Sequence, residues 1–245
     1  MILHGWGSNA DVMMPLVSKL SDLRTCYVPD LPGFGETPPP PEPWTVDDYV
    51  DLAEQFVTEI AGGRADILAH SFGGRIALKW CSRESGKEQA GKVVITGGAG
   101  MKPRRTFAFY CRKYTAKLLK APFMLLPAAH REKALDWMRG TGIWKSLGSS
   151  EYRQLDGVMR QTFVRTVSEH LEFCLQKISH DILLLWGKED GATPVYQGAR
   201  MENGLHNGAL VVIDHAGHYA FLDQPDRFIR IVRAFLKHTD EIIGS

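Results

Sequence analysis

Asp66-Ile67-Leu68-Ala69-His70-Ser71-Phe72-Gly73-Gly74-Arg75-Ile76-Ala77-Leu78 decides how this chain is read. A short apolar run of β type ends at Ser71 and a helical pattern begins at once, so the chain must reverse in very little space. Such a turn strains its central residue and leaves no room for bulk two positions to either side, where the sequence has Ala69 and Gly73. This is the layout of a nucleophile elbow. It exposes the Ser71 hydroxyl and directs the Phe72 amide, at the start of the helix, towards the place where an oxyanion would form. The competing reading is an ordinary strand-to-helix loop in which Ser71 caps the following helix.

Working outward, the same alternation of strand and helix recurs on both sides. Ile2-Leu3 reads as the end of a buried strand, followed by the glycine-rich turn His4-Gly5-Trp6-Gly7-Ser8-Asn9 and a helix over 11–20. A second strand is expected over 23–28, then the turn-rich loop Pro29 to Thr37 and a stiff proline run. Tyr49, Leu52, Ala53, Phe56 and Ile60 repeat at helical spacing after Thr45, and Gly62-Gly63 ends that helix. Residues 92–96 form another β run closed by Gly97-Gly98-Ala99-Gly100, which lacks both the GK[ST] of a phosphate loop and GxGxxG. From 101 to 178 no β run is found, and the composition is helical with breaks at Pro122, Pro127 and around Gly140. Strands over 182–186 and 209–213, a helix over 194–203 and a last helix from Pro225 complete the chain. The expectation is an α/β fold: a mostly parallel sheet with helices on both faces in segments 1–100 and 179–245, and an inserted helical cap over 101–178.

Composition narrows the function classes. With 245 residues, 44% of them hydrophobic and 10% aromatic, the chain can bury one large core, and a net charge of +1 gives no sign of a nucleic-acid-binding protein. Cys26, Cys81, Cys111 and Cys174 are far apart, as expected of reduced thiols in a cytoplasmic protein. No basic n-region opens the chain and no apolar run approaches the roughly 18 residues of a membrane span, so a cytoplasmic protein without stable membrane insertion is expected. His215 and His218 are three apart, but neither HExxH nor a Cys/His cluster accompanies them, and no metal or cofactor is expected. Arg227, Arg230 and Arg233 read as a solvated helix face. Residues 101–145 carry eleven Lys or Arg against Glu132 and Asp136, a surplus of nine that leaves the remaining chain at −8. A basic cap over an acidic body would draw in an anionic substrate, an acidic carrier protein or an anionic membrane surface, if it is more than a solvated helix face. Phe107, Phe109, Tyr110, Phe123, Trp137 and Trp144 are expected to form the cap core and in part an acyl pocket.

A Ser hydroxyl becomes a nucleophile when a base takes its proton and a third group orients that base. In open α/β sheets the carboxyl ends of the strands converge on one crevice, so partners are sought after later strands. After Trp186-Gly187 comes Asp190, preferred to Glu189 because Gly191 and Pro194 suit a loop turning back over the sheet. After Ile213 comes His218, preferred to His215 because Gly217 frees the backbone to fold towards Ser71.

Ser71, Asp190 and His218 occur in the chain order of the α/β-hydrolase triad. Nearly the whole chain resembles the α/β-hydrolase superfamily: His4-Gly5-Trp6-Gly7, Asp30-Leu31-Pro32-Gly33-Phe34-Gly35, the elbow, Trp186 to Pro194, and Gly217-His218 with Asp223-Gln224-Pro225 all match in register. Two departures stand out. The first glycine of GxSxG is Ala69, and the family's first two strands have no counterpart. The resemblance implies the Trp6 amide as second oxyanion donor beside that of Phe72. It implies a serine hydrolase of a carboxylic ester, free or carrier-bound, similar to pimeloyl-carrier-protein methyl esterases. The alternatives are a C–C hydrolase of the meta-cleavage type, whose usual Gly-Pro-Gly run is absent at Gly7-Ser8-Asn9, and a non-catalytic binding protein on the same scaffold.

Overall fold

The computed structural model describes residues 1–104, 130, 155 and 157–237. Five parallel strands run in sequence order across one sheet: β1 (Ile2–Leu3), β2 (Ala65–His70), β3 (Ala90–Thr96), β4 (Ile182–Gly187) and β5 (Gly208–Ile213). The register places Leu3 beside Ala69, Ala69 beside Ile95, Ile95 beside Leu184, and Leu184 beside Leu210. β4 is buried at all six positions, as a central strand covered on both faces must be.

Successive strand residues face opposite sides of the sheet. Ile2, Leu68, Val94, Leu183 and Leu185 pack with Met13, Leu16 and Leu20 of α1 (Ala10–Leu20) and with Phe228, Val232 and Leu236 of the last helix (Pro225–Lys237). The other face is covered by α3 (Phe72–Cys81) against β2 and β3, with α2 (Val46–Glu59) packed on α3, and by the helix Val195–Gly204 against β4 and β5. α3 is buried at nine of its ten positions, so it is a core helix and shows solvent only Lys79. Burying α3 also buries Arg75, whose guanidinium donates to the carbonyls of Thr166 (3.0 Å), Glu169 (2.5 Å) and Val167 (3.4 Å). These carbonyls end the helix Gly157–Ser168, so a cation satisfies acceptors that the helix itself leaves open. One turn on, Lys79 pairs with Glu169 and with Asp47 of α2.

Among the described residues the remaining helices, in chain order, are α4 (Glu84–Gln89), α5 (Gly157–Ser168), α6 (Glu172–Leu175), α7 (Val195–Gly204), α8 (Ala220–Asp223) and α9 (Pro225–Lys237). α4 and α8 carry too short a pattern to stand out in the sequence. The strand expected over 23–28 is not formed. That segment runs outside β1, and Ile2 N–H donates to the Tyr27 carbonyl at 2.8 Å, a single bond short of the repeated pairing that makes a strand. Arg233, expected on a solvated face, donates to both carboxylate oxygens of Asp22 at 2.6 Å and ties α9 to the turn after α1.

The chain divides into two compact units, residues 1–102 with 161–245, and residues 103–160. The aromatic and basic residues at 105–145 discussed above lie outside the described residues, as does Cys111. No helix among the described residues is long and apolar enough to cross a membrane.

β1 and α3 approach so closely that a side chain between them has no room: a Cβ on Gly73 would lie 2.5 Å from the Leu3 carbonyl oxygen and 2.8 Å from Leu3 Cβ. Gly73→Ala is expected to cost about 1–3 kcal/mol of stability in denaturant melts. Gly191→Ala, where a Cβ would meet nothing within 4 Å, is expected to stay within about 0.5 kcal/mol of the parent.

Candidate active site

Ser71 lies between β2 and α3 with φ 51° and ψ −106°, a conformation L side chains rarely adopt. Its backbone is held from three directions. Its N–H donates to the Thr96 carbonyl at 3.1 Å, and its own carbonyl accepts from Gly74 and Ala99, each at 3.0 Å. The hydroxyl makes no capping bond to α3, which removes the reading of Ser71 as a helix cap. The His4-Gly5 turn passes alongside, and a Cβ on Gly5 would come within 3.2 Å of Ser71 Cβ.

The hydroxyl points instead at His218. Ser71 Oγ is 3.0 Å from His218 Nε2, and His218 Nδ1 is 2.8 Å from Asp190 Oδ2. Both partners come from loops at the carboxyl ends of strands, Asp190 after β4 and His218 after β5. The two loops are laced together: Glu189 N–H donates to the Ala216 carbonyl and Lys188 N–H to that of Ile213, both at 2.9 Å. Asp223 holds the base loop from the other side by accepting the Gly217 N–H at 2.8 Å. Glu189 and His215, the alternatives weighed from the sequence, are exposed.

Asp190 is 4% exposed, yet each of its oxygens is occupied. Oδ1 accepts the N–H groups of Ala192 (2.9 Å) and Thr193 (2.8 Å), and Oδ2 faces His218 Nδ1 and the Thr193 hydroxyl, the latter at 2.9 Å. Burial alone would raise its pKa, but the bonds from His218 and Thr193 outweigh that and hold the carboxyl below its ordinary value. The third group of the line is therefore an anion fixed in plane. Such an arrangement can take a proton from the hydroxyl and stabilise the imidazolium that results.

Three buried polar residues near the site were not singled out in the sequence. His4 is fully buried; its Nε2 accepts the Leu31 N–H at 3.0 Å, so its proton is on Nδ1, which donates to the Gly5 carbonyl at 2.8 Å. Burial lowers its pKa against the opposing effect of that carbonyl, and the neutral ring ties the His4-Gly5 turn to the Asp30–Gly35 loop. His70 is also fully buried, with Nδ1 donating to the Thr96 carbonyl at 3.2 Å and its ring centroid 4.7 Å from those of both His218 and Tyr219. Burial, with the neighbouring His218 adding to it, pushes its pKa down to about 3. Thr193 is the third. An ionisable residue at the end of the apolar run Ile67-Leu68-Ala69 was the available signal for His70; no comparable signal marked Thr193.

Gly73 N–H donates to the His4 carbonyl at 3.1 Å, which joins the turn bearing Trp6 to the first turn of α3. The Trp6 and Phe72 amides lie close to this link in the chain and take part in none of the turn and loop hydrogen bonds among the described residues. The Trp6 ring packs edge-on against Phe34 (4.9 Å), Phe163 (5.0 Å) and Phe72 (5.3 Å), an aromatic wall beside the elbow. No group of three or more His, Cys, Asp or Glu suited to holding a metal occurs among the described residues.

A parallel sheet with a Ser elbow and acid and base loops after its later strands defines a hydrolase class, and a sequence model of the alpha/beta hydrolase family matches residues 1–231. The chain belongs to the alpha/beta hydrolase family. It is similar to a pimeloyl-[acyl-carrier protein] methyl ester esterase of Neisseria meningitidis, at 28% identity over 96% of this chain and 92% of the relative. The corresponding esterase of Nitrosomonas europaea is 24% identical over 93% of this chain and 91% of its own. Among solved structures, a meta-cleavage product hydrolase from Pseudomonas fluorescens aligns with TM-score 0.70 at 20% identity, covering 97% of this chain and 90% of its own, a likeness of fold.

Because His70 is harder to protonate folded than unfolded, its stabilising effect is complete above pH 6.5 and is lost as the pH falls from there towards 3. Within that window the parent is expected to lose roughly 1.4 kcal/mol per pH unit through this group. Denaturation of His70→Gln over the same window should show a correspondingly flatter pH dependence.

Proposed function

We propose that this protein is a serine hydrolase that cleaves a carboxylic ester through an acyl-enzyme. The observation that carries the reading is His218, within hydrogen-bond distance of a strained, non-capping Ser71 on one side and of a buried Asp190 carboxylate on the other. His218 Nε2 takes the Ser71 proton as Oγ attacks the substrate carbonyl carbon. The Trp6 and Phe72 amides donate to the oxyanion of the tetrahedral intermediate, and Asp190 stabilises the imidazolium. Collapse of the intermediate expels the alcohol, which takes the proton back from His218. Water, deprotonated by the same imidazole, then attacks the acyl carbon and releases the acid and Ser71. No cofactor enters this cycle.

The substrate proposed is an ester carried on an acidic protein or bearing its own negative charge. Two observations support it: the relatives named above act on a carrier-bound methyl ester, and the 101–178 segment, the proposed cap, has a basic surplus of nine within 101–145. The dispersed, unpaired thiols of Cys26, Cys81 and Cys174 suit a reducing compartment, and the cytoplasm is the site proposed.

A fluorophosphonate probe is expected to label the parent at Ser71, and Ser71→Ala to lose labelling together with at least about a thousandfold of the ester hydrolysis rate. Methyl esters on an acidic carrier protein should be cleaved faster than the free esters, with an advantage that shrinks as salt rises. An unchanged hydrolysis rate in Ser71→Ala would defeat the proposal. Turnover of a vinylogous diketone in preference to every ester would move the reaction to a C–C bond, and ligand binding without labelling would make the protein a binding scaffold.

A further inference from the structure

Asp190 Oδ2 has two suitors. His218 Nδ1 lies 2.8 Å away and Thr193 Oγ1 2.9 Å away, while Thr193 Oγ1 is also 3.4 Å from Nδ1 itself. Thr193 is 7% exposed and its backbone is held on both sides: its N–H is fixed on Asp190 Oδ1 at 2.8 Å, and its carbonyl accepts the Trp186 indole N–H at 2.6 Å. Its hydroxyl has one proton and two acceptors at equal range, Asp190 Oδ2 and the Gly97 carbonyl, both at 2.9 Å. A hydrogen bond to an ionised carboxylate is about twice as strong as one to a neutral carbonyl, which directs the proton to Asp190.

We infer that Thr193 is a positioning residue of the proposed triad: its hydroxyl competes with His218 Nδ1–H for Asp190 Oδ2 and so lowers the proton affinity of His218. A carboxylate oxygen that already accepts one hydrogen bond has less charge to offer a second donor, and the imidazolium depends on that charge. The ionisable groups facing His218 are few. Asp190 approaches from the loop after β4, His70 from the end of β2, Ser71 from the elbow, and Tyr219 is its own neighbour in the chain. His70 is neutral at working pH, with His4 buried and neutral behind it, so among the described residues Asp190 is the charge that His218 feels at contact distance. Whatever divides that charge sets the base.

The inference rests on the triad reading above but can be judged apart from it. The pKa of His218 is to be measured by NMR of the 15N-histidine-labelled protein, with the resonance assigned from His218→Gln. Thr193→Val keeps the shape and removes the hydroxyl, and is expected to raise the His218 pKa by about half a unit to one unit. The acidic limb of kcat/KM for ester hydrolysis should rise with it, and Thr193→Ser should return both towards the parent. Thr193→Ala is expected to shift the titration in the same upward direction, which keeps the test open if the valine variant folds poorly. A titration unmoved by either hydroxyl deletion, with Ser71 labelling intact, would place the proton on Gly97 and overturn the inference alone. Absence of Ser71 labelling in the parent would instead defeat the hydrolase reading, while the NMR titration would still decide on Thr193.

Discussion

The structure depends on holding one residue where residues do not willingly stay. The backbone of Ser71 lies in a region that costs on the order of 1–3 kcal/mol for a non-glycine residue. Three backbone hydrogen bonds, from Ser71 N–H to Thr96 and from Gly74 and Ala99 to the Ser71 carbonyl, hold it there. These bonds tie β2, β3 and α3 to the same point, so the sheet and the buried helix are the clamp as well as the core. The requirement for small neighbours follows, since Gly73 lies against the Leu3 backbone and Gly5 against Ser71 itself.

Around this point the protein treats buried ionisable groups in two different ways. Asp190 keeps its charge because donors occupy both oxygens, whereas His4 and His70 are held neutral because desolvation outweighs the carbonyls and carboxylates that favour their cations. The contrast concentrates negative charge on one side of His218 and leaves the His70 side electrically silent. A proton received by His218 therefore has one direction from which it is stabilised.

Much of this was legible in the residues, and what was missed follows a pattern. β2 to β5 and the helices beside them have strong periodicity, and their positions in the sequence agree with those in the structure to within a few residues. The expected strand at 23–28 failed because a strand needs repeated pairing whatever its local propensity, and this segment meets β1 through a single bond, Ile2 N–H to the Tyr27 carbonyl. Asp190 could be ranked above Glu189, and His218 above His215, from the glycine and proline beside them, and Asp190 is buried where Glu189 and His215 are exposed. His4 and His70 could not be ranked, because they bond to partners 27 and 26 positions away along the chain, Leu31 and Thr96, and nothing in the sequence marked the Thr193 hydroxyl as turned towards Asp190.

The lacing of the acid loop to the base loop has a consequence for how such a protein can change. A Cβ on Gly187 would strike the carbonyl oxygens of Gly217 and Ala216 at 2.1 and 2.4 Å, and Glu189 bonds directly to Ala216. The two connections are thus geared to each other. An insertion in either must be answered by a matching shift in its mate, so variation in length is free to accumulate elsewhere in the chain and is barred from these few positions.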